Sequence, residues 1–506
     1  MANNEFTFFG VVSSIVGKIN SKRERRRLLR DVENNNYRRR NVIQYTPAPI
    51  EAYLSGRQFE NMVISGTNNE LRERAICATA YNAHRNNRPV ILLYDGSMDL
   101  NYRMSEAFRD TSNFYSINSE NRIYNPFAGR RNTEISNFVL SSAGRDNNVL
   151  SRSSIVFVDA VTTFLEARGI PLTLSAYIDC IKYREYEEAQ ELAKNGIIPE
   201  NVARLITNRT IDSRDDIGDV DAYFSRLDME LSTVLAPTTE NGVSIKNVIE
   251  DGGVFMIDVS SNSSDMLNII AQEIRELLAR GRAISLLIDS VSLDENEGLA
   301  NVLSHLSSRC NFAYSAEDVF ARAQGNETLM TTMVGRSNVF VLNHSSGLST
   351  ELFSRYFSEY DKEELNRNHH DGANHGPFGS NLPGFAHGTG VGTNVVRRRR
   401  VDGNDISDLG RNQAYVQLLH TGEVIQASFR DGNCMETYAP PRRSPQARAS
   451  SGPINWLLCV FLLIWAPPIG LVYLMVKSES RRTKAICGGI LGAFFAALII
   501  TSIILG

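Results

Sequence analysis

The side chains best suited to chemistry lie in two short runs, Asn61–Arg74 (NMVISGTNNELRER) and Ser285–Ser290 (SLLIDS). The first has the outline of a phosphate-binding loop. Met62 to Ser65 read as a short buried strand, Gly66 opens a tight turn, and Glu70 to Asn86 read as a helix with Leu71, Ala75, Ala78 and Ala83 inward. A working loop runs Gly, four residues, then Gly-Lys-Ser/Thr, so that backbone amides wrap the phosphates, lysine reaches the terminal ones and the hydroxyl holds magnesium. Here Thr67, Asn68, Asn69 and Glu70 fill the four places, and Leu71, Arg72 and Glu73 fill the last three. Leucine lacks glycine's access to positive φ, arginine is a planar fork and not a lysine point charge, and Glu73 sets a carboxylate where phosphate would sit. The second run stays apolar until Asp289, which could order Mg2+, yet reads equally well as the end of a buried strand. Ser290 follows it, too weak a base near neutral pH to activate water. ATP and Mg2+ remain open as ligands, no cofactor is certain, and hydrolysis is not expected.

Those runs need a sheet to hold them. At 506 residues the chain exceeds one ordinary core. Its net charge of −4 hides an uneven spread, with basic clusters at Lys18 to Arg30, Arg38 to Arg40 and Arg397 to Arg400. The clusters containing Arg25, Arg26 and Arg27, and Arg397, Arg398, Arg399 and Arg400, are the places where DNA or anionic lipid could bind. They lack the aromatic interleaving of single-strand binders and read otherwise as solvated edges. Six scattered cysteines without paired spacing suit a reducing compartment and no zinc site.

Two apolar runs, Ile454 to Val476 and Ala485 to Gly506, are each long enough to cross a bilayer and are separated by basic residues. Pro467 and Pro468 divide the first run, so one span with a re-entrant hairpin and two spans both remain open. Phe6–Val16 is short and its basic residues follow it, so no signal peptide is expected. The expected location is the cell membrane, with the large domain cytoplasmic and a C-terminal anchor.

Strand-like runs at Val90–Tyr94, Val254–Val259, Ile284–Ile288 and Val339–Leu342 alternate with helical periods, which implies a parallel sheet covered on both faces. Six kinds of segment follow. Residues 1–42 form a basic N-terminal segment. Residues 43–134, 236–365 and 401–435 form the sheet core, and 135–235 an all-α insertion entered through Tyr124-Asn125-Pro126-Phe127. Residues 366–400 read as a flexible Gly-, His- and Arg-rich loop, 436–453 as a basic linker and 454–506 as the membrane segment. His369, His370, His375 and His387 belong to that loop and are read as solvated, not as metal ligands. Gln413–Leu419 and Glu423–Phe429 read as a terminal hairpin around Thr421-Gly422.

The run LLIDSVSLDENEGLANVLSHLSSRCNFAYSAEDVFARAQGNETLMTTMVGRSNVFVLNH resembles the core of type IV secretion coupling proteins, the TraG/TraD-like branch of the FtsK/HerA superfamily. The resemblance covers about Ile43 to Phe429 and includes the Asn-Pro turn and the hairpin. It implies an α/β fold, a RecA-like P-loop NTPase sheet with an all-α insertion, here with C-terminal transmembrane helices. It also implies a motor of secretion or conjugation, working as a hexamer on DNA or protein. The departures fall on the catalytic places. Leu71, Arg72 and Glu73 replace glycine, lysine and a hydroxyl residue, Ser290 replaces the glutamate, and Ser315 stands where a phosphate-sensing glutamine is expected. Family members are typically anchored at the N-terminus. The expected function is therefore a membrane-anchored pseudo-ATPase that recruits a protein substrate or joins an active coupling ATPase, or other secretion components, as a homo- or hetero-hexamer. An active translocase and a nucleotide-independent scaffold are the alternatives.

Overall fold

The computed structural model describes residues 26–55, 60–143, 150–260, 264–293, 297–304, 310–323, 327–373 and 385–444. The membrane segment 454–506, the second half of the linker (445–453), Arg25, His375 and the N-terminal apolar stretch lie outside these residues. Among the described residues no helix is long and apolar enough to cross a membrane.

The strands in chain order are β1 (Val42–Gln44), β2 (Met62–Ser65), β3 (Val90–Tyr94), β4 (Phe114–Ile117), β5 (Val254–Asp258), β6 (Ile284–Asp289), β7 (Cys310–Ala316) and β8 (Asn338–Val341). They are followed by β9 (Glu359–Ala373), β10 (Phe385–Arg399), β11 (Gln413–Gln417) and β12 (Val424–Ser428). Ten of them make one sheet in the order β1-β12-β11-β8-β2-β7-β6-β3-β5-β4. From β8 to β4 every neighbouring pair is parallel. At the other edge β11 runs antiparallel to both β8 and β12, and β1 adds to β12 in parallel.

The central strands are largely apolar because both faces are covered. Along β2, Val63 enters one hydrophobic cluster while Met62 and Ile64 enter the other. Along β3, Ile91 and Leu93 divide from Val90, Leu92 and Tyr94 in the same way. The Asn69–Arg85 and Met98–Ala107 helices cover the face of Met62 and Ile64. On the opposite face lie the Ser264–Ala279 helix and a run of helices from Asn132–Ser142 to Ile217–Leu231. The chain leaves and rejoins the sheet region at Tyr124, which bridges to both Leu235 and Val243.

That junction holds a buried charge network. Arg130 Nε donates to Pro126 O at 2.8 Å, its Nη2 lies 3.6 Å from Glu273 Oε1, and its guanidinium stands 4.0 Å from the Phe138 ring centre. Tyr124 Oη donates to Glu273 Oε2 at 2.9 Å. Glu273 is fully buried, and burial, only partly opposed by Arg130, pushes its carboxyl up to about 7.

One expectation is corrected. Within the tract 366–400, residues 366–373 and 385–399 are not loop, because β9 and β10 pair antiparallel in register from Glu359–Arg399 to Ala373–Phe385, and 374–384 lie outside the described residues. Backbone hydrogen bonds between two facing segments build this ribbon, and a Gly- and Asn-rich sequence without apolar alternation gives no sign of them.

Candidate functional site

In an open parallel sheet the loops beyond the carboxyl ends of the strands gather in one crevice. Adjacent strands β2, β7 and β6 bring Gly66, Ser315 and Asp289 together at that end. A cleft of about 1110 Å3 opens there, and Thr67, Asn68, Asn69, Glu70, Arg72, Glu73, Asp289 and Ser290 line it.

The turn out of β2 is tight. Gly66 has φ +143°, and a Cβ there would overlap the Leu342 side chain, so the position requires glycine. The helix begins at Asn69, only three residues later, with Asn68 as its N-cap accepting from Leu71 N at 3.2 Å. The loop between Gly66 and the helix is thus Thr67-Asn68. Gly66 N donates to Ala316 O at 3.2 Å and Thr67 N to Asn343 O at 3.0 Å. Two amides that would face phosphate in a longer loop are already bonded to protein carbonyls. Leu71 is 2% exposed and points into the core.

Arg72 turns toward the sheet. Its Nη1 donates to Ser290 Oγ at 3.2 Å and to Ser315 Oγ at 3.5 Å, and its Nη2 donates to Asn69 Oδ1. Nη1 also lies 3.6 Å from Asp289 Oδ1, with the two side chains 5% and 4% exposed. Ser290 takes a left-handed φ of +61°, a conformation that costs a non-glycine residue about 1 kcal/mol, and its hydroxyl sits 3.4 Å from Asp289 Oδ2. Among the described residues no donor meets Asp289 Oδ1 in good hydrogen-bond geometry. Burial raises the Asp289 carboxyl above its usual range despite Arg72, and burial lowers the Arg72 guanidinium despite Asp289. Both shifts have one cause, removal of two charges from water.

Glu73 accepts from Ser97 Oγ at 2.7 Å and lies 3.6 Å from Arg103 Nε, while burial raises its carboxyl. Beyond the residues read from sequence, Asp95, Asp99, Arg103, Glu317, Arg322 and Arg411 also line the cleft. Its described lining therefore carries six carboxylates (Glu70, Glu73, Asp95, Asp99, Asp289, Glu317) against four arginines. Asp95 follows β3 and Glu317 follows β7 directly, so their positions after strand ends were a usable signal.

Arg397 to Arg400 do not line this cleft. Arg399 pairs with Glu351, Arg398 with Glu364 at 3.4 Å and Arg397 with Asp361 at 4.0 Å. Arg26 and Arg27 are exposed on a helix.

No family model matches the sequence, and no curated protein matches it. Among solved structures the chain is similar to the unbound bacterial conjugative coupling protein TrwBdeltaN70. That likeness is at 13% identity over 77% of this chain and 87% of the other, with a TM-score of 0.45. Plasmid coupling protein TrwB with the GTP analogue GDPNP gives 14% identity, 80% and 92% coverage and a TM-score of 0.45. TrwB with ADP and Mg2+ gives 13%, 80% and 93%, and 0.43. At such identity no residue role passes from those proteins to this one.

Proposed function

We propose that the chain is a catalytically silent relative of conjugation and secretion coupling ATPases, held at the cell membrane by its C-terminal apolar runs and acting through assembly with other components. The observation that carries this reading is the Arg72–Asp289 pair. The carboxylate that would order Mg2+ is buried beside a guanidinium from the chain itself. A cation there would have to displace Arg72 or accept a neighbouring positive charge. The surroundings agree. Two turn amides are occupied, and the carboxylate excess opposes a triphosphate. The residues present do not fit Mg-ATP.

Mg-ATP added to the purified full chain in detergent tests this. The expected result is no phosphate release and no rise in thermal midpoint. Hydrolysis that Asp289→Ala abolishes would overturn the reading in favour of an active translocase. The assembly half is tested separately, by co-purification with an intact coupling ATPase produced in the same cells. A chain that purifies alone from cells containing that ATPase contradicts it.

A further inference from the structure

Gly432, Cys434 and Thr437 lie on a strap, residues 430–438, that runs along the outer side of the Asn69–Arg85 helix. Arg74 Nη2 donates to Arg430 O at 3.1 Å, and Arg85 Nη1 donates to Thr437 Oγ1 at 2.9 Å. Near the start of the strap the backbone comes so close that a Cβ on Gly432 would stand 2.5 Å from Pro49 Cβ and 2.7 Å from Glu51 Oε2. Tyr438 and Cys434 complete the packing against the sheet's second cluster.

Between those anchors, Cys77 Sγ on the helix and Cys434 Sγ on the strap are 2.9 Å apart, although 357 residues separate them in sequence. Both are free thiols. Their roles differ. Cys77 is buried and donates its proton toward the Cys434 sulfur, whereas Cys434 is half-exposed. That hydrogen bond lowers the Cys434 thiol below its ordinary range, Arg103 adding a smaller pull, while donation and burial hold the Cys77 thiol well above its own.

We infer that Cys77 and Cys434 are a dithiol modification site which low-molecular-weight disulfides oxidise to an intramolecular disulfide, fastening the strap to the helix that carries Arg72. The Cys434 thiolate attacks one sulfur of the reagent, whose S–S bond breaks and whose first thiolate leaves. Cys77 then gives up its proton and attacks Cys434 Sγ, a second S–S bond forms, and the second thiolate leaves. The protein loses two electrons and two protons, and the reagent becomes two thiols. Nothing in this pair depends on what the cleft binds. The chemistry suits a chain kept reduced in ordinary conditions and oxidised under stress.

The test uses the full-length chain, reduced, desalted and incubated with glutathione disulfide. The expected product has lost two hydrogens, carries no glutathione, joins the Cys77 and Cys434 peptides in a non-reducing map, and reverts with dithiothreitol. Cys77→Ser should instead retain one glutathione on Cys434, with Cys77→Ala as the variant to use if serine disturbs the core. Cys434→Ser should form neither product, and Cys180→Ser should leave the cross-link intact. A wild-type chain that keeps a stable glutathione on Cys434, joins Cys434 to another cysteine, or does not react would overturn the inference, and the wild-type map needs no variant to fold.

Discussion

Replacing Arg72 by methionine keeps the stem of the side chain and removes only the charge facing Asp289. At the observed 3.6 Å, two unit charges in an effective dielectric of ~20 attract by about 4.6 kcal/mol. Desolvation offsets part of this, since burial disfavours both charged forms. Breaking a buried pair on one side costs about 3–5 kcal/mol, because the remaining charge is stranded. Arg72→Met and Asp289→Leu should therefore each destabilise by about 3 kcal/mol at neutral pH. The double variant should lose no more than either single one, a coupling of about 3 kcal/mol. Urea denaturation followed by far-ultraviolet circular dichroism is the assay, because the sheet-forming residues contain no tryptophan, Trp456 and Trp465 both lying in the C-terminal apolar run. A further sign follows. Without Arg72 the folded-state pKa of Asp289 rises further above its unfolded value, so its contribution is present at acid pH and lost as pH rises. The penalty of Arg72→Met should shrink on acidification. Strictly additive single losses, or a coupling below about 0.5 kcal/mol, would refute the idea that the guanidinium closes the site.

Glu273 gives an independent pH test. Its folded pKa of about 7 stands above the ordinary glutamate value of 4.5, so its stabilising contribution is complete below the unfolded value and falls away as pH rises from about 4.5 to about 7. Glu273→Gln should remove that slope, at most about 3 kcal/mol, from stability measured between pH 4 and pH 8. Gly66→Ala should lower the thermal midpoint through a loss above about 1 kcal/mol, because alanine at φ +143° is strained and its methyl meets Leu342. An unchanged midpoint would mean that the turn relaxes freely. Tyr124→Phe should cost about 1–3 kcal/mol by withdrawing a donor from buried Glu273, read in the same denaturation assay.

The strand, turn and helix around Gly66 were legible because each is written locally, as an apolar run, a glycine and a periodic apolar helix face, whereas the Asn68 cap was not read from the sequence. What Arg72 does was not. A periodic helix face places Leu71, Ala75 and Ala78 inward and sends Arg72, Glu73 and Arg74 out, yet all six are buried. Charge burial there depends on groups remote in sequence. Arg72 is covered by β6 and β7, and Arg74 forms a bidentate pair with Glu51 beneath the 430–438 strap. The β9–β10 ribbon was missed for the same reason, since its stabilising bonds run between segments and not along one. The cysteine spacing gave no pair because the partners meet only after 357 residues of intervening fold.

The strand order also constrains how the chain reaches this state. β2 sits at the sheet's centre, with β7 on one side and β8 on the other, and its contacts to β7 span 251 residues. β1 waits longer still, as Gln44 meets Gln426 across 382 residues. At a synthesis rate of about 5–20 residues per second, the Met62–Ser65 strand emerges roughly 10–50 s before its neighbours exist. For that interval a mostly apolar strand with two open edges is exposed, the condition that favours wrong pairing and calls on chaperones. Completion of the fold is therefore set by the last third of the polypeptide, and a chain released before β12 has neither a finished sheet nor the strap that closes over Cys77.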